Sequence, residues 1–147
     1  MHHGMASKQK MMKSNLPFQF QSVVIHGEEL GRTIGFPTAN FADLPNENEL
    51  ALGVHFGECE IDPQTPQSKT FFCISYFGPR FVVGQVKNVF EVYLYDFEGE
   101  IYGKKVKVTL SDFIREPIKL STLEKLKKQL EKDKEEGKQI LRWRRYN

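Results

Sequence analysis

The chain has 147 residues, of which 39% are hydrophobic and 27% charged, so it can bury one core and is too apolar to be disordered throughout. The formal net charge of the whole chain is +2, but the body of the chain is acidic. Residues 17–140 hold 15 basic and 19 acidic side chains, a formal charge of −4. A duplex-binding protein needs cations on its folded body, so we expect no nucleic-acid partner. No apolar run approaches the roughly 20 residues that span a bilayer, so we expect no membrane partner.

The cysteines and histidines favour neither a disulfide scaffold nor a zinc site. Cys59 and Cys73 lie in apolar segments without a Cys-x-x-Cys partner, and one pair is far from the cysteine density of a secreted scaffold. We therefore expect buried neutral thiols in a cytoplasmic protein. The four histidines show no metal-ligand spacing.

Alternation of apolar and polar residues predicts at least five strands after a polar N-terminal segment. Residues 1–16 are expected to be a disordered tail, and they include a histidine pair that is either natural or left by cloning. Gly78-Pro79 is expected to end the third strand, and the short link at residues 98–100 predicts a hairpin between the last two strands. The predicted strands are residues 18–25, 52–61, 70–76, 88–97 and 101–110.

A helix is predicted after the strands. Residues 121–124 match the capping box, in which a Ser and a Glu satisfy each other's free backbone N–H groups. Leucines at 123, 126 and 130 follow at helical spacing, and the helix is expected to end near Gly137, leaving a basic tail at residues 141–147. Strands followed by one helix predict a mostly β domain over residues 17–140, a small antiparallel barrel with the helix packed outside. Strand count alone does not separate a barrel from a sandwich, and without an obvious apolar surplus we expect a monomer.

The segment from Gly27 to Asn40 contains the densest set of candidate functional residues. Its three glycines, at 27, 31 and 35, permit a backbone that lies close against a ligand, and Arg32 can offer a positive fork to phosphate oxygens. Pro37 precedes Thr38 and Asn40, whose oxygens point the same way if the segment is extended. The alternative is an ordinary Gly-rich hairpin with its polar side chains in solvent.

Glu91 stands out in the strand predicted over residues 88–97. Strand alternation places it in a row with Val89, Tyr93 and Tyr95, opposite the row of Phe90 and its apolar neighbours. A carboxylate in such an apolar and aromatic row suggests a functional group. The alternative is a strand-edge glutamate in solvent.

The motifs together resemble the flavokinase (riboflavin kinase) family over about residues 20–140. The resemblance implies a six-stranded antiparallel, Greek-key-like barrel with a C-terminal helix. It also implies transfer of the γ-phosphate of ATP to the 5′-hydroxyl of riboflavin, which gives FMN. The matching segments occur in the family's order: GRTIGFPTAN at 31–40, LGVHFG at 52–57, FEVYLYDF at 90–97, IYGK at 101–104 and IREPIKLS at 114–121.

The same resemblance implies roles for individual residues. Glu91 matches the catalytic base. Thr38 and Asn40 match the positions that hold the divalent cation, Mg²⁺ or another such as Zn²⁺ or Mn²⁺, together with nucleotide phosphates. Arg115 matches a flavin-side arginine, although an arginine that caps the sheet explains it equally well, and Tyr102 could equally be a core tyrosine. The residues implied in ATP binding are Gly27, Gly31, Arg32, Thr33, Thr38, Asn40 and Tyr102.

The sequence departs most from the family pattern after the third strand. Residues 77–81 read FGPRF, with Arg80 where the family has threonine, which puts local substrate contacts in doubt. This departure keeps a second hypothesis open, a flavin-binding or regulatory module without catalysis. A third is a single-strand-binding barrel that stacks bases on Phe71, Phe72 and Tyr76, which the acidic body disfavours. No HxGH-type nucleotidyl site is present, so FAD synthesis is not expected from these residues alone.

Overall fold

The computed structural model describes residues 15–26, 38–82 and 85–146. They form a closed antiparallel barrel with one helix on its outside, which confirms the predicted fold class. Going around the barrel, the strand order is β1-β2-β5-β4-β3-β6. The elements are β1 (Phe18–Ile25), β2 (Ala39–Phe41), β3 (Gly53–Ile61), β4 (Lys69–Val82), β5 (Gln85–Leu94), β6 (Lys105–Arg115) and α1 (Leu123–Tyr146).

The interior is filled by the inward-facing residues of the strands. Strand β6 shows the alternation clearly, since Val106, Val108 and Leu110 are fully buried while the residues between them are partly exposed. Cys59 and Cys73 are buried free thiols, as predicted. Burial raises the pKa of Cys59 to about 12 and also raises the pKa of Cys73, so both thiols are protonated at neutral pH.

The predicted hairpin between the last two strands is wrong. Strand β5 pairs with β2 and β4, whereas β6 pairs with β1 and β3, so residues 95–104 cross an end of the barrel between strands that are not neighbours. A short link between alternating segments is compatible with either connection. Only the pairing partners decide it, and those are long-range.

Strand β4 is longer than predicted, because it continues through Gly78-Pro79 to Val82. Pairing of β4 with β3 ends at Phe77, while pairing with β5 continues to Val82. Beyond Phe77, one side of β4 has no strand partner among the described residues, and a proline that lacks an N–H donor is tolerated at such an edge.

Helix α1 begins one residue later and ends nine residues later than the sequence suggests. Thr122 rather than Ser121 is its N-cap, with the Lys125 N–H donating to Thr122 Oγ1 at 3.1 Å. The helix continues past Gly137 to Tyr146, so it includes residues 141–146 of the expected tail. It is the one helix of the elements given above, and it is not apolar enough to cross a membrane.

Helix α1 packs on the outer face of β3, β4 and β6. A second apolar cluster forms there, in which Phe56 and Ile74 meet Ile140 and Leu141 of the helix. Gly137 makes the close approach possible, since a Cβ at this position would lie 2.1 Å from the Tyr95 hydroxyl oxygen. That hydroxyl donates to the Lys134 carbonyl at 2.9 Å, which fixes the helix against the end of β5.

Candidate active site

One row of residues across the outer face of the barrel contains three of the predicted site residues. Strand pairing places Asn40 opposite Glu91, Glu91 opposite Tyr76, Tyr76 opposite Val54 and Val54 opposite Arg115. Directly paired residues have Cβ atoms about 4.5–5.5 Å apart, so Asn40 and Glu91 are immediate neighbours. With strands about 4.8 Å apart, Arg115 is roughly 14 Å from Glu91 along the sheet.

Glu91 lies on the outer side of β5, and Phe90 lies on the opposite face, as the alternation predicted. Phe90, Val92 and Leu94 are buried in the core, while Glu91 and Tyr93 face outward and are partly buried. The Glu91 side chain is 13% exposed. It is therefore a mostly shielded carboxylate rather than the solvated strand-edge glutamate of the alternative.

The partner of Glu91 is Arg80. Its Nη2–H donates to Glu91 Oε1 at 3.1 Å, and its guanidinium stacks on Tyr76, 4.1 Å from the ring centroid. The Tyr76 hydroxyl donates to the Pro79 carbonyl at 2.8 Å. Burial raises the pKa of Tyr76, against the opposing effect of Arg80 and Arg115, so this phenol is a neutral hydrogen-bonding group.

A cavity of about 900 Å³ is lined by Ala39 and Val92, the chain neighbours of Asn40 and Glu91, which do not line it themselves. Thr38, Tyr93 and Tyr102 contribute to its wall, and Tyr102 stacks on His26 with ring centroids 3.6 Å apart. Asp96 and Glu98 at the cavity give one side an acidic wall. An anionic ligand would therefore need compensating positive charge to enter.

Thr38 and Asn40 supply the kind of donors that a magnesium ion uses. Both are oxygen donors two residues apart on an extended segment, and Asn40 is 9% exposed. Within residues 15–26, 38–82 and 85–146, no three His, Cys, Asp or Glu side chains come together as a ready-made cage. This donor set suits a hard cation that takes its remaining ligands from water and substrate phosphates.

Arg115 is fixed by the helix. Its Nε–H and Nη2–H donate to the two carboxylate oxygens of Asp133 at 2.8 and 2.7 Å, and its Nη1–H donates to the Glu116 carbonyl at 2.9 Å. Asp133 is 2% exposed and also accepts from Gln129 at 3.0 Å. This bidentate pair ties α1 to the end of β6.

Four of the predicted ATP-binding residues lie outside the described residues. The chain leading to them departs from the end of β1, where Ile25 pairs with Asn40. These residues are Gly27, Gly31, Arg32 and Thr33.

Sequence reasoning misses three residues that define the site. In the sequence, Tyr76 is a candidate only for base stacking, Tyr93 stands out only by its parity, and Asp133 is only part of a charged helix surface. Strand parity could have placed Tyr76 and Tyr93 on the outer face. The partner of Arg80 could not have been found, because it depends on how β4 pairs with β5.

Comparisons with known proteins agree with this fold and motif order. The family model for riboflavin kinase (Flavokinase) matches residues 14–141. The chain is 36% identical over 122 residues to a bifunctional riboflavin kinase/FMN adenylyltransferase from Haemophilus influenzae, covering 83% of this chain and 38% of that protein. The corresponding protein of Listeria monocytogenes is 37% identical over 122 residues, covering 82% and 37%. The chain thus spans less than two-fifths of the length of either relative.

Two solved structures superpose on this chain. A Streptococcus pneumoniae protein described as a macrolide-efflux protein superposes with a TM-score of 0.67 at 34% identity, covering 81% of this chain and 38% of that one. A riboflavin kinase from Trypanosoma brucei superposes with a TM-score of 0.60 at 20% identity over 84% and 76%, which supports the fold. Since the family model covers residues 14–141 and these relatives are more than 30% identical over about four-fifths of the chain, the chain belongs to the riboflavin kinase family.

Proposed function

We propose that the chain is an ATP:riboflavin 5′-phosphotransferase, which takes riboflavin and ATP as substrates and releases FMN and ADP. The observation that carries the proposal is the direct pairing of Asn40 with Glu91, whose chain neighbours Ala39 and Val92 line the 900 Å³ cavity. A metal-binding amide next to a shielded carboxylate is what phosphoryl transfer to an alcohol requires, namely charge compensation on one side and orientation of the hydroxyl on the other.

The nucleotide would occupy the cavity, with its phosphates near Thr38 and Asn40. A divalent cation there, Mg²⁺ first among the candidates, supplies positive charge against the phosphates and the acidic wall. Tyr102 would flank the adenine, and its stacking on His26 and its position in the cavity wall support this role. The glycine-rich segment would cover the phosphates, and its residues are Gly27, Gly31, Arg32 and Thr33.

Glu91 would hold the 5′-hydroxyl of riboflavin and receive its proton. A carboxylate is a far weaker base than an alkoxide, so Glu91 would not remove the proton before the reaction begins. In a loose transition state, the bond from phosphorus to the bridging oxygen of ADP breaks ahead of bond formation to the 5′-oxygen. The hydroxyl then becomes acidic, its proton passes to the Glu91 carboxylate, and ADP leaves with the electron pair.

Arg115 would act on the flavin side of the same row. About 14 Å along the sheet separates it from Glu91, room for an extended flavin whose ribityl end lies at Glu91. Asp133 and Glu116 engage three of its five N–H groups, which leaves two for a ligand and fixes the direction in which they point. Its proposed role is to position the flavin rather than to take part in the chemistry.

We propose further that the enzyme works as a cytoplasmic monomer on small molecules, without a nucleic-acid or membrane partner. The acidic body argues against nucleic acid. Nothing in the comparisons favours a catalytically silent flavin-binding module.

The test is FMN formation, followed by chromatography, from riboflavin and ATP with Mg²⁺, Mn²⁺ or Zn²⁺. Wild type should form FMN only when ATP and a divalent cation are both present. Glu91→Gln should lower the rate by about 10²- to 10⁴-fold, the usual contribution of a general base. Glu58→Gln, which changes an exposed carboxylate on β3, is the matched control and should keep the wild-type rate. A wild-type chain that binds riboflavin and forms no FMN with any of these metals would replace the kinase with the binding module.

A further inference from the structure

Arg80 holds Glu91 with only part of its hydrogen-bonding capacity. One Nη2–H reaches one carboxylate oxygen, and the flat face of the guanidinium lies on Tyr76. Among the described residues Arg80 has no further hydrogen-bond partner, and its side chain is 22% exposed. A guanidinium has five N–H groups, so most of the donors of Arg80 remain available to a ligand.

These donors lie where a new negative charge would form. If Glu91 holds the 5′-hydroxyl, the 5′-oxygen lies within hydrogen-bond distance of the Glu91 carboxylate. After the transfer, the phosphorus is bonded directly to that oxygen. Arg80 is 3.1 Å from the same carboxylate. The product phosphate is therefore within reach of the guanidinium without movement of the barrel strands.

The negative charges of the product phosphate and of Glu91 explain why a cation is needed at this position. A phosphomonoester carries a charge of about −1.5 to −2 at neutral pH, and at this position it would face the Glu91 carboxylate at close range. Like charges so close repel strongly in a partly buried site, unless a cation lies between them. Arg80 already contacts the carboxylate, and its planar fork matches phosphate oxygens.

We propose that Arg80 binds the phosphate of the flavin product, so that the chain holds the flavin phosphomonoester more tightly than the alcohol from which it is made. This inference rests on the proposed function, because it takes the flavin's 5′ end to lie at Glu91. It gives a specific role to Arg80. A threonine at this position would have neither the charge nor the reach.

The test is a pair of binding titrations, with riboflavin and with FMN, monitored by flavin fluorescence in the absence of nucleotide. Wild type should bind FMN about tenfold or more tightly than riboflavin, as expected for a charge-assisted hydrogen bond. Arg80→Thr should abolish that preference and leave the riboflavin Kd within about threefold, while Arg80→Lys should keep part of it. Lys87→Thr is the matched control, because Lys87 is the exposed cation opposite Arg80 on β5, and it should keep the full preference.

A second comparison separates direct contact from an effect through Glu91. In a Glu91→Gln background, Arg80→Thr should still weaken FMN binding by about tenfold, because the phosphate contact is independent of the carboxylate. If Arg80→Thr has no effect on FMN in that background, Arg80 only neutralises Glu91 and the proposal is overturned.

The outcomes also distinguish this inference from the proposed function. If the wild type forms FMN but Arg80→Thr changes riboflavin and FMN binding equally, or changes neither, only the Arg80 proposal is overturned. A wild type that binds neither flavin sinks both. If Arg80→Thr does not fold, Arg80→Lys replaces it, since a weakened FMN preference in the lysine variant supports the proposal and an unchanged preference overturns it.

Discussion

Two arginine–carboxylate pairs lie on the outer face of the barrel, one at Glu91 of β5 and one at Arg115 of β6, and they are built differently. Arg115 and Asp133 form a bidentate pair at 2.7 and 2.8 Å, and the aspartate is 2% exposed with Gln129 as a further donor. Arg80 and Glu91 share a single contact at 3.1 Å, and both are more accessible to solvent than Asp133. Asp133 and the Glu116 carbonyl engage three of the five N–H groups of Arg115, and this pair joins two elements, whereas Glu91 engages one of the five of Arg80 and leaves more donors for a ligand.

This difference indicates how the same chemistry serves structure in one place and function in another. Removing one partner of a buried ion pair leaves the other charge without compensation, which is strongly destabilising. The contacts between Arg115 and Asp133 therefore help to keep α1 on the barrel. A pair with remaining hydrogen-bonding capacity contributes less to the fold, and its groups can exchange partners when substrate arrives. The number of unused donors, rather than the presence of the ion pair, therefore separates the two sites.

Removing the charge of Asp133 should have the largest effect on stability. Asp133→Asn leaves the Arg115 guanidinium partly buried without its counter-charge, and we expect the free energy of unfolding to fall by about 2–4 kcal/mol. Urea denaturation followed by circular dichroism measures it. Glu124→Gln is the control, because its i,i+4 pair with Lys128 is well exposed and should change stability by under about 0.5 kcal/mol. Equal losses in the two variants would mean that α1 is held by apolar packing alone.

Lowering the pH should reduce the free energy of unfolding through His55, which belongs to neither arginine–carboxylate pair. It is fully buried with its ring edge against Phe113, and desolvation lowers the pKa of His55 from 6.5 to about 4. The unfolded chain therefore takes up this proton first as the pH falls below about 6.5, and stability drops until the folded-state pKa is reached. The expected loss at pH 5 is about 2 kcal/mol relative to pH 7. His55→Gln should remove that part of the pH dependence, and an unchanged pH profile would assign it to other groups.

The smallest effect concerns the geometry of the structural pair. Arg115→Lys keeps the charge and loses the two-point contact with Asp133, so we expect a loss of about 1 kcal/mol in unfolding free energy. Urea denaturation beside Asp133→Asn measures the difference. A lysine variant as unstable as Asp133→Asn would show that the fork geometry, and not the charge, anchors the helix.

The sequence predicts the parts of this molecule that depend on local pattern. Alternation places Phe90 and Glu91 on opposite faces of one strand, and it locates most of the strands. It misses what depends on distant partners. The hairpin prediction fails because β5 and β6 pair with other strands. The strand end predicted at Pro79 fails because β4 pairs with β5 as far as Val82, whereas its pairing with β3 ends at Phe77.

The candidate site divides in the same way. Motif resemblance nominates Asn40, Glu91 and Arg115 singly, and the strand register then aligns them in one row. The contact of Arg80 with Glu91 could not have been predicted, since 11 residues and a change of strand separate the two. Arg115 has two interpretations in the sequence, and its bidentate contact with Asp133 explains why an ordinary structural arginine is a reasonable one.

The most direct test compares Glu91→Gln with Asp133→Asn in single-turnover FMN formation at saturating riboflavin and Mg·ATP. Both variants are assayed at a temperature at which circular dichroism shows them folded. We expect Glu91→Gln to lose about 10²-fold or more in rate, while Asp133→Asn stays within about threefold of wild type. Equal loss of rate in the two folded variants would contradict the proposed roles, because the two pairs would then not divide chemistry from structure.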